Sequence, residues 1–133
     1  MRLFKKQKMI QKCRIYCYET QEMIVARDYR EIAELFAVLD ADDSLYSEPM
    51  QYTGRIDTNG KEIFEGDVVD VFGSRYTVFY DSENASFRLK PRDKRWNTDY
   101  MSNYAHEASF EIIGNNYENH ELMVEKLGNF TAL

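Results

Sequence analysis

Apolar residues recur with helical spacing at one place in the chain. Between Asp28 and Leu39, Ile32, Leu35, Phe36 and Leu39 fall at i, i+3, i+4 and i+7, which predicts a helix with a single apolar stripe. Asp28 stands where a carboxylate caps the amide of Glu31, and Glu31 can reach back to complete a capping box. The run Asp40-Ala41-Asp42-Asp43-Ser44 ends the helix, because carboxylates are disfavoured at the negative end of the helix dipole. Before this helix the period is two. In Lys12–Tyr18, Cys13, Ile15 and Cys17 share one face and Arg14, Tyr16 and Tyr18 the other, so this stretch reads as a strand. Glu19-Thr20-Gln21-Glu22 turns it and Met23-Ile24-Val25 returns it as a hairpin. After Pro49 the segments Met50–Thr53, Asp67–Phe72, Arg75–Tyr80, Ala85–Lys90 and Phe110–Ile113 have strand composition. Gly114-Asn115-Asn116 then turns the chain into a short C-terminal helix, with Asn119 as cap, Leu122, Met123 and Leu127 as packing residues and Gly128 as stop.

The turns between these strands carry most of the local information. Gly54, Gly60 and Gly66 punctuate Met50–Val69 at six-residue intervals. Asn59-Gly60 suits positive φ at both central positions of a type I′ reversal over Asp57–Gly60. Gly66 supplies a left-handed position at the entry to the next strand, where Asp67 can accept backbone N–H bonds. Gly73-Ser74 fits a two-residue type II′ loop. The fold class expected is α+β and β-rich: a small antiparallel, SH3-like barrel with an N-terminal hairpin plus helix and a short C-terminal helix. Residues 1–11 form a basic N-terminal extension and 12–133 a single domain, with 12–48 as hairpin and helix and 49–127 as the barrel-like part. Pro91–Glu107 lacks a period and reads as a long loop, with a short helix around Asp99–Tyr104.

Composition narrows the class of protein. The 133 residues are 44% hydrophobic and 14% aromatic, enough to fold around a core without staples. No apolar run approaches the ~20 residues needed to cross a bilayer, and the N-terminus lacks a signal-peptide core. The expectation is a soluble, cytoplasmic protein with no membrane partner. Cys13 and Cys17 on one strand would stand about 13 Å apart, beyond disulfide reach, and are expected to be reduced core thiols. The net charge of −6 is unevenly spread: residues 1–14 hold six basic and no acidic side chains, against eleven basic and twenty-three acidic in the rest.

Catalytic patterns are scarce. His106 and His120 have no ligand spacing, and no phosphate-loop or nucleophile motif occurs. Asp57, Glu62, Glu65 and Asp67 crowd the central block and could grip magnesium, but Asp57 and Asp67 are placed as turn formers and Glu62 and Glu65 as solvated flanks. No metal and no cofactor is expected. In Phe87–Trp96, Arg88, Lys90 and Arg92 alternate along one strand face, with Lys94, Arg95 and Trp96 beyond. With Lys5, Lys6 and Lys8 this strip could follow a phosphate backbone and stack a base on Trp96. The same lysines and arginines would equally guard an edge strand against aggregation.

Three blocks carry a resemblance to a known family. Lys12–Met23, then Gln51-Tyr52-Thr53-Gly54 with Asn59–Val69, then Ile112-Ile113-Gly114-Asn115 with Tyr117-Glu118-Asn119 and Glu121-Leu122, are similar to the YopX family of phage and prophage proteins. The resemblance spans roughly Lys12 to Lys126 and implies a small β-rich fold carried by mobile genetic elements, with no catalytic residues to transfer. The function expected is a non-catalytic protein-binding or assembly module acting on a host or phage protein, for instance by modulating a host or defence protein. The alternatives are a nucleic-acid-binding module using the basic arm and the Arg88–Arg95 strip, and a metal-dependent nuclease or hydrolase. Homo-oligomerisation is left open.

Overall fold

The computed structural model describes residues 11–106 and 109–124. Lys5, Lys6 and Lys8, and the part of the expected C-terminal helix that holds Leu127 and Gly128, lie outside the described residues. Those residues form two antiparallel sheets and one α-helix. The chain divides into two compact units, Met1–Tyr52 and Thr53–Leu133.

In the first unit, β1 (Cys13–Cys17) pairs antiparallel with β2 (Glu22–Ala26), Ile15 opposite Ile24. The hairpin turn places Gln21 at φ 58°. β1 also pairs with the start of β3 (Met50–Ile56), Cys13 opposite Gln51. All five β1 residues are buried, Arg14 and Tyr16 included, so the alternation marked two covered faces rather than one inside and one outside. Cys13 and Cys17 are buried free thiols, as expected. Helix α1 spans Tyr29–Ala41. Asp28 Oδ1 accepts from Glu31 N at 2.8 Å, while Glu31 Oε1 accepts from Arg27 N at 2.9 Å, one residue earlier than a standard capping box. The acidic run then begins new structure: Asp42 accepts from Ser44 N at 3.1 Å and from the Ser44 hydroxyl at 2.6 Å, opening a 3₁₀ turn over Asp43–Leu45. Leu35 with Ile32 and Leu39 packs on Cys13, Ile15 and Ala26. Phe36 does not join them and is exposed. At 100° per residue it lies at the margin of the stripe whose centre is Ile32, Leu35 and Leu39.

In the second unit, β3 leads through a turn into β4 (Glu62–Phe64), followed by β5 (Asp67–Val71), β6 (Ser74–Asp81), β7 (Ser86–Pro91), β8 (Asp99–Tyr100) and β9 (Glu111–Asn115). The antiparallel sheet runs β8-β7-β6-β5-β9. Its buried core is Ile63, Val69, Val71, Tyr76, Val78, Leu89, Met101 and Phe110. The β3–β4 reversal differs from the expected type I′ turn. Gly60 has φ 79° but Asn59 does not have positive φ. Gly60 N donates to Asp57 O and Asp57 N to Lys61 O, a three-residue loop in which glycine alone takes the left-handed position. Asp57 is 1% exposed. One of its oxygens accepts from Asn59 N and Lys61 N, both at 2.9 Å, and the other from Ile112 N at 3.0 Å. Burial pushes this carboxyl up, but the three backbone N–H groups outweigh it and hold the group below the ordinary aspartate value.

Gly66 has φ 85° and donates to Val78 O at 2.9 Å, and Asp67 accepts from Phe64 N at 2.8 Å, as the residues suggested. Gly114 does not take part in a turn, and its lack of a side chain leaves room for Asn119 and Leu122, which would have to shift for any larger residue. It lies within β9, and a Cβ there would stand 2.6 Å from Asn119 Oδ1 and Leu122 Cδ1. The expected C-terminal helix is, in its described part, a 3₁₀ turn over His120–Met123. Asn119 does not cap it, because its Oδ1 accepts from Asn115 N instead, at 3.2 Å.

Asp57→Asn keeps the shape but turns one end of the side chain into a donor facing a donor. We expect it to lower stability by about 1–3 kcal/mol, measured by urea unfolding against the parent chain.

Candidate functional site

The sequence of β5 and β6 leads to an exposed tip. Val71 pairs with Ser74, so the loop between them is Phe72-Gly73, at φ 51° and 89°, the type I′ signature. The expected Gly73-Ser74 loop is thus shifted back by one residue, since Ser74 is already in the ladder. Asp70 Oδ1 accepts from Gly73 N at 2.9 Å, which braces the reversal. Phe72 therefore occupies a left-handed position that asparagine usually fills, and it is 80% exposed. One side of its ring approaches Tyr104, with centroids 6.3 Å apart.

Tyr104 is held from behind. Its hydroxyl donates to Asp99 at 2.9 Å, and its ring meets Phe110 edge-on at 5.7 Å. Burial, and then the bond to Asp99, push its phenol up to about 12. Asp99 also accepts from Tyr100 N at 2.8 Å and from the Asn103 side chain. Burial raises this carboxyl, while those bonds outweigh it and keep the group below its ordinary value. The Tyr104 phenol and the Asp99 carboxylate thus brace each other, the phenol keeping its proton and the carboxylate its charge. The expected loop of Pro91–Glu107 is thus anchored at its middle: Asp99–Tyr100 forms β8, and a 3₁₀ turn over Met101–Asn103 seats the buried Met101 in the core.

Beside the tip, Arg92 N donates to Arg75 O at 2.9 Å and Trp96 N to Asp93 O at 3.1 Å, folding 91–96 back toward β6. A cavity of about 110 Å³ results, lined by Gly73, Ser74 and Arg75 on one side and Arg92, Asp93 and Trp96 on the other. Trp96 is exposed. Arg75 spans to Leu122 O at 3.3 Å.

The basic strip is divided by the structure. Arg88 lies in an ion pair with Asp81 at 3.2 Å, donates to Thr98 Oγ1 at 2.7 Å and covers the Tyr100 ring at 4.3 Å, so its guanidinium holds β6, β7 and β8 together. Arg95 closes on Asp93 at 2.6 Å, and that bond first of all holds the Asp93 carboxyl down to about 2. Lys90 and Lys94 are exposed and Arg92 is half-buried. Alternation along a strand located the face but not the partners that occupy Arg88. Phe72 and Arg75 escaped the sequence reading. The available signal was an aromatic residue directly before glycine where Asn-Gly would be usual.

The other candidates are dispersed. His106 and His120 are exposed, and among the described residues no group of three or more His, Cys, Asp or Glu is placed to hold a metal ion. Asp57 spends both oxygens on backbone amides, and Asp67 spends Oδ2 on Phe64 N. Among the described residues no helix is long and apolar enough to cross a membrane.

Fold and site together define a β-rich α+β protein whose most distinctive surface is an aromatic hairpin tip beside a small arginine-lined cavity. The chain belongs to the YopX protein family, whose model matches residues 2–124. It is similar to the crystal structure of protein EF1440 from Enterococcus faecalis, at 21% identity and a TM-score of 0.55, over 87% of this chain and 99% of that one. At that identity the likeness is one of fold alone. None of the curated proteins matches.

Phe72→Asn should stabilise the protein by about 1 kcal/mol, because a left-handed position costs a bulky residue roughly 1–2 kcal/mol and asparagine tolerates it. Thermal unfolding reads this as a rise of a few degrees.

Proposed function

We propose that this protein is a non-catalytic binding or assembly module of phage or prophage type, working in the bacterial cytoplasm on a host or phage protein. The scaffold in this reading is a small SH3-like barrel, supported by three consecutive antiparallel strands, β5 to β7, after the Gly66-Asp67 bend. The observation that carries the function is Phe72, kept at positive φ and displayed to solvent where a commoner turn residue would be more stable. Strain and an exposed aromatic held together against the local preference are the mark of a functional position. Trp96, Arg92 and Arg75 beside it are the residue types that anchor interfaces. A photoreactive phenylalanine analogue at position 72, used in host cells, should give a discrete protein adduct. The same analogue at Tyr80, which is exposed on the same unit, should not. No adduct at position 72, or equal labelling at both, would overturn the reading.

One observation favours nucleic acid as a second reading: Lys90, Lys94 and Trp96 are all exposed within one seven-residue stretch. It predicts affinity for short single-stranded DNA that falls steeply from low to physiological salt and weakens several-fold in Trp96→Ala. Absence of binding at low salt removes it.

A further inference from the structure

The first unit carries a second surface that the tip does not explain. Helix α1 is thirteen residues long and buries only Leu35 fully. A helix of that length depends on packing rather than on propensity, yet Phe36 and Val38 are 48% and 41% exposed, and Ile24 on the neighbouring β2 is 42% exposed. Two hollows flank the helix. One, about 250 Å³, has Ile24, Leu35 and Val38 in its wall with Glu31 and Glu34 at its rim. The other, about 390 Å³, has Phe36 and Leu39 in its wall with Asp40, Asp43 and Glu48 at its rim. Among the described residues, five carboxylates and no lysine or arginine line the two together.

The rim charges are available. Glu34 meets Arg30 at 3.3 Å, but both side chains are well over half exposed, and such a pair is easily exchanged for another cation. Glu31 braces the start of α1 through one oxygen, which accepts from Arg27 N. Apolar hollows between carboxylates on both sides of a helix of about 20 Å fit a ligand with apolar side chains and cations interleaved, and they disfavour one whose apolar side chains are flanked by acids.

We infer that the α1 face of the first unit binds a cationic amphipathic segment of a partner protein, its apolar residues entering the two hollows and its lysines or arginines meeting Glu31, Glu34, Asp40, Asp43 and Glu48. This extends the protein-binding reading to a second surface and stands or falls apart from the tip, since the two surfaces share no residue.

The probe is a fluorescein-labelled Leu/Lys amphipathic peptide, titrated with the full chain by anisotropy, beside a Leu/Glu peptide of identical apolar pattern. The Leu/Lys peptide should bind and the Leu/Glu peptide should not, with affinity falling several-fold from low to physiological salt. Glu34→Lys with Asp40→Lys should weaken it at least tenfold, and Phe36→Ser several-fold. Both variants alter exposed side chains, and circular dichroism checks that α1 is retained. Phe72→Asn should leave peptide binding unchanged, so that failure of the tip and failure of this surface are read separately. Equal binding of both peptides, or indifference to the charge reversal, overturns the inference. So does a dimer in sedimentation that Phe36→Ser dissociates, which would assign the face to a second copy. Tighter peptide binding by Lys5→Glu/Lys6→Glu/Lys8→Glu would assign it to the chain's own basic arm and overturn it equally.

Discussion

One buried carboxylate ties the second unit together. Asp57 follows β3, yet its two oxygens satisfy three backbone amides, two in its own turn and one on β9, fifty-five residues away. A buried N–H without a partner costs about 1–3 kcal/mol, so a single side chain answers for three such costs. The same link brings Phe110 beside the turn, where its carbonyl accepts from Thr58 N at 2.9 Å and its fully buried ring fills the core. Arg55 lies over that ring at 4.8 Å and donates to Met101 O at 2.8 Å, so the anchor of the 91–106 segment is fixed to the same point.

Asp57 is the most buried case of a general device. Asp28, Asp42, Asp67, Asp70, Asp81, Asp93 and Asp99 each accept at least one backbone amide at a cap, turn or bend. Much of the acidity of the chain is thus turn chemistry, and it says less about partners than a net charge of −6 suggests. Asp42, Asp57, Asp81, Asp93 and Asp99 all lie below the ordinary aspartate value. At Asp57 and Asp99 burial opposes this and the hydrogen bonds prevail. A carboxyl lowered on folding adds stability above its unfolded value, and that contribution is lost as pH falls through the lowered folded value. The fold is therefore built to be sensitive to acid below about pH 4.

Strand composition and glycine placement made most of the fold legible in the sequence. The N-terminal hairpin, the helix capped by Asp28, the Gly66-Asp67 bend and the three strands that follow it all sit where the pattern put them, within a residue or two. What was not legible depends on contacts made at a distance. Asn59-Gly60 looks like a type I′ pair until Asp57 is seen to be pinned from β9, which fixes a longer loop. Gly73 looks like the first residue of its loop until the Val71–Ser74 pairing fixes the register. Arg88 looks like a free cation until Asp81 and Thr98 arrive from neighbouring segments. Phe72 is invisible to propensity because it stands against it.

Aspartates hold the turns of this protein and leave its aromatic side chains to be displayed. An NMR titration of the aspartate carboxyls, followed together with the backbone amides, reads this linkage residue by residue. Asp57 should titrate below an ordinary aspartate, and the amides of Asn59, Lys61 and Ile112 should shift with the same midpoint. An Asp57 that titrates at the ordinary value, with those three amides unmoved, would mean that its carboxylate does not hold this turn.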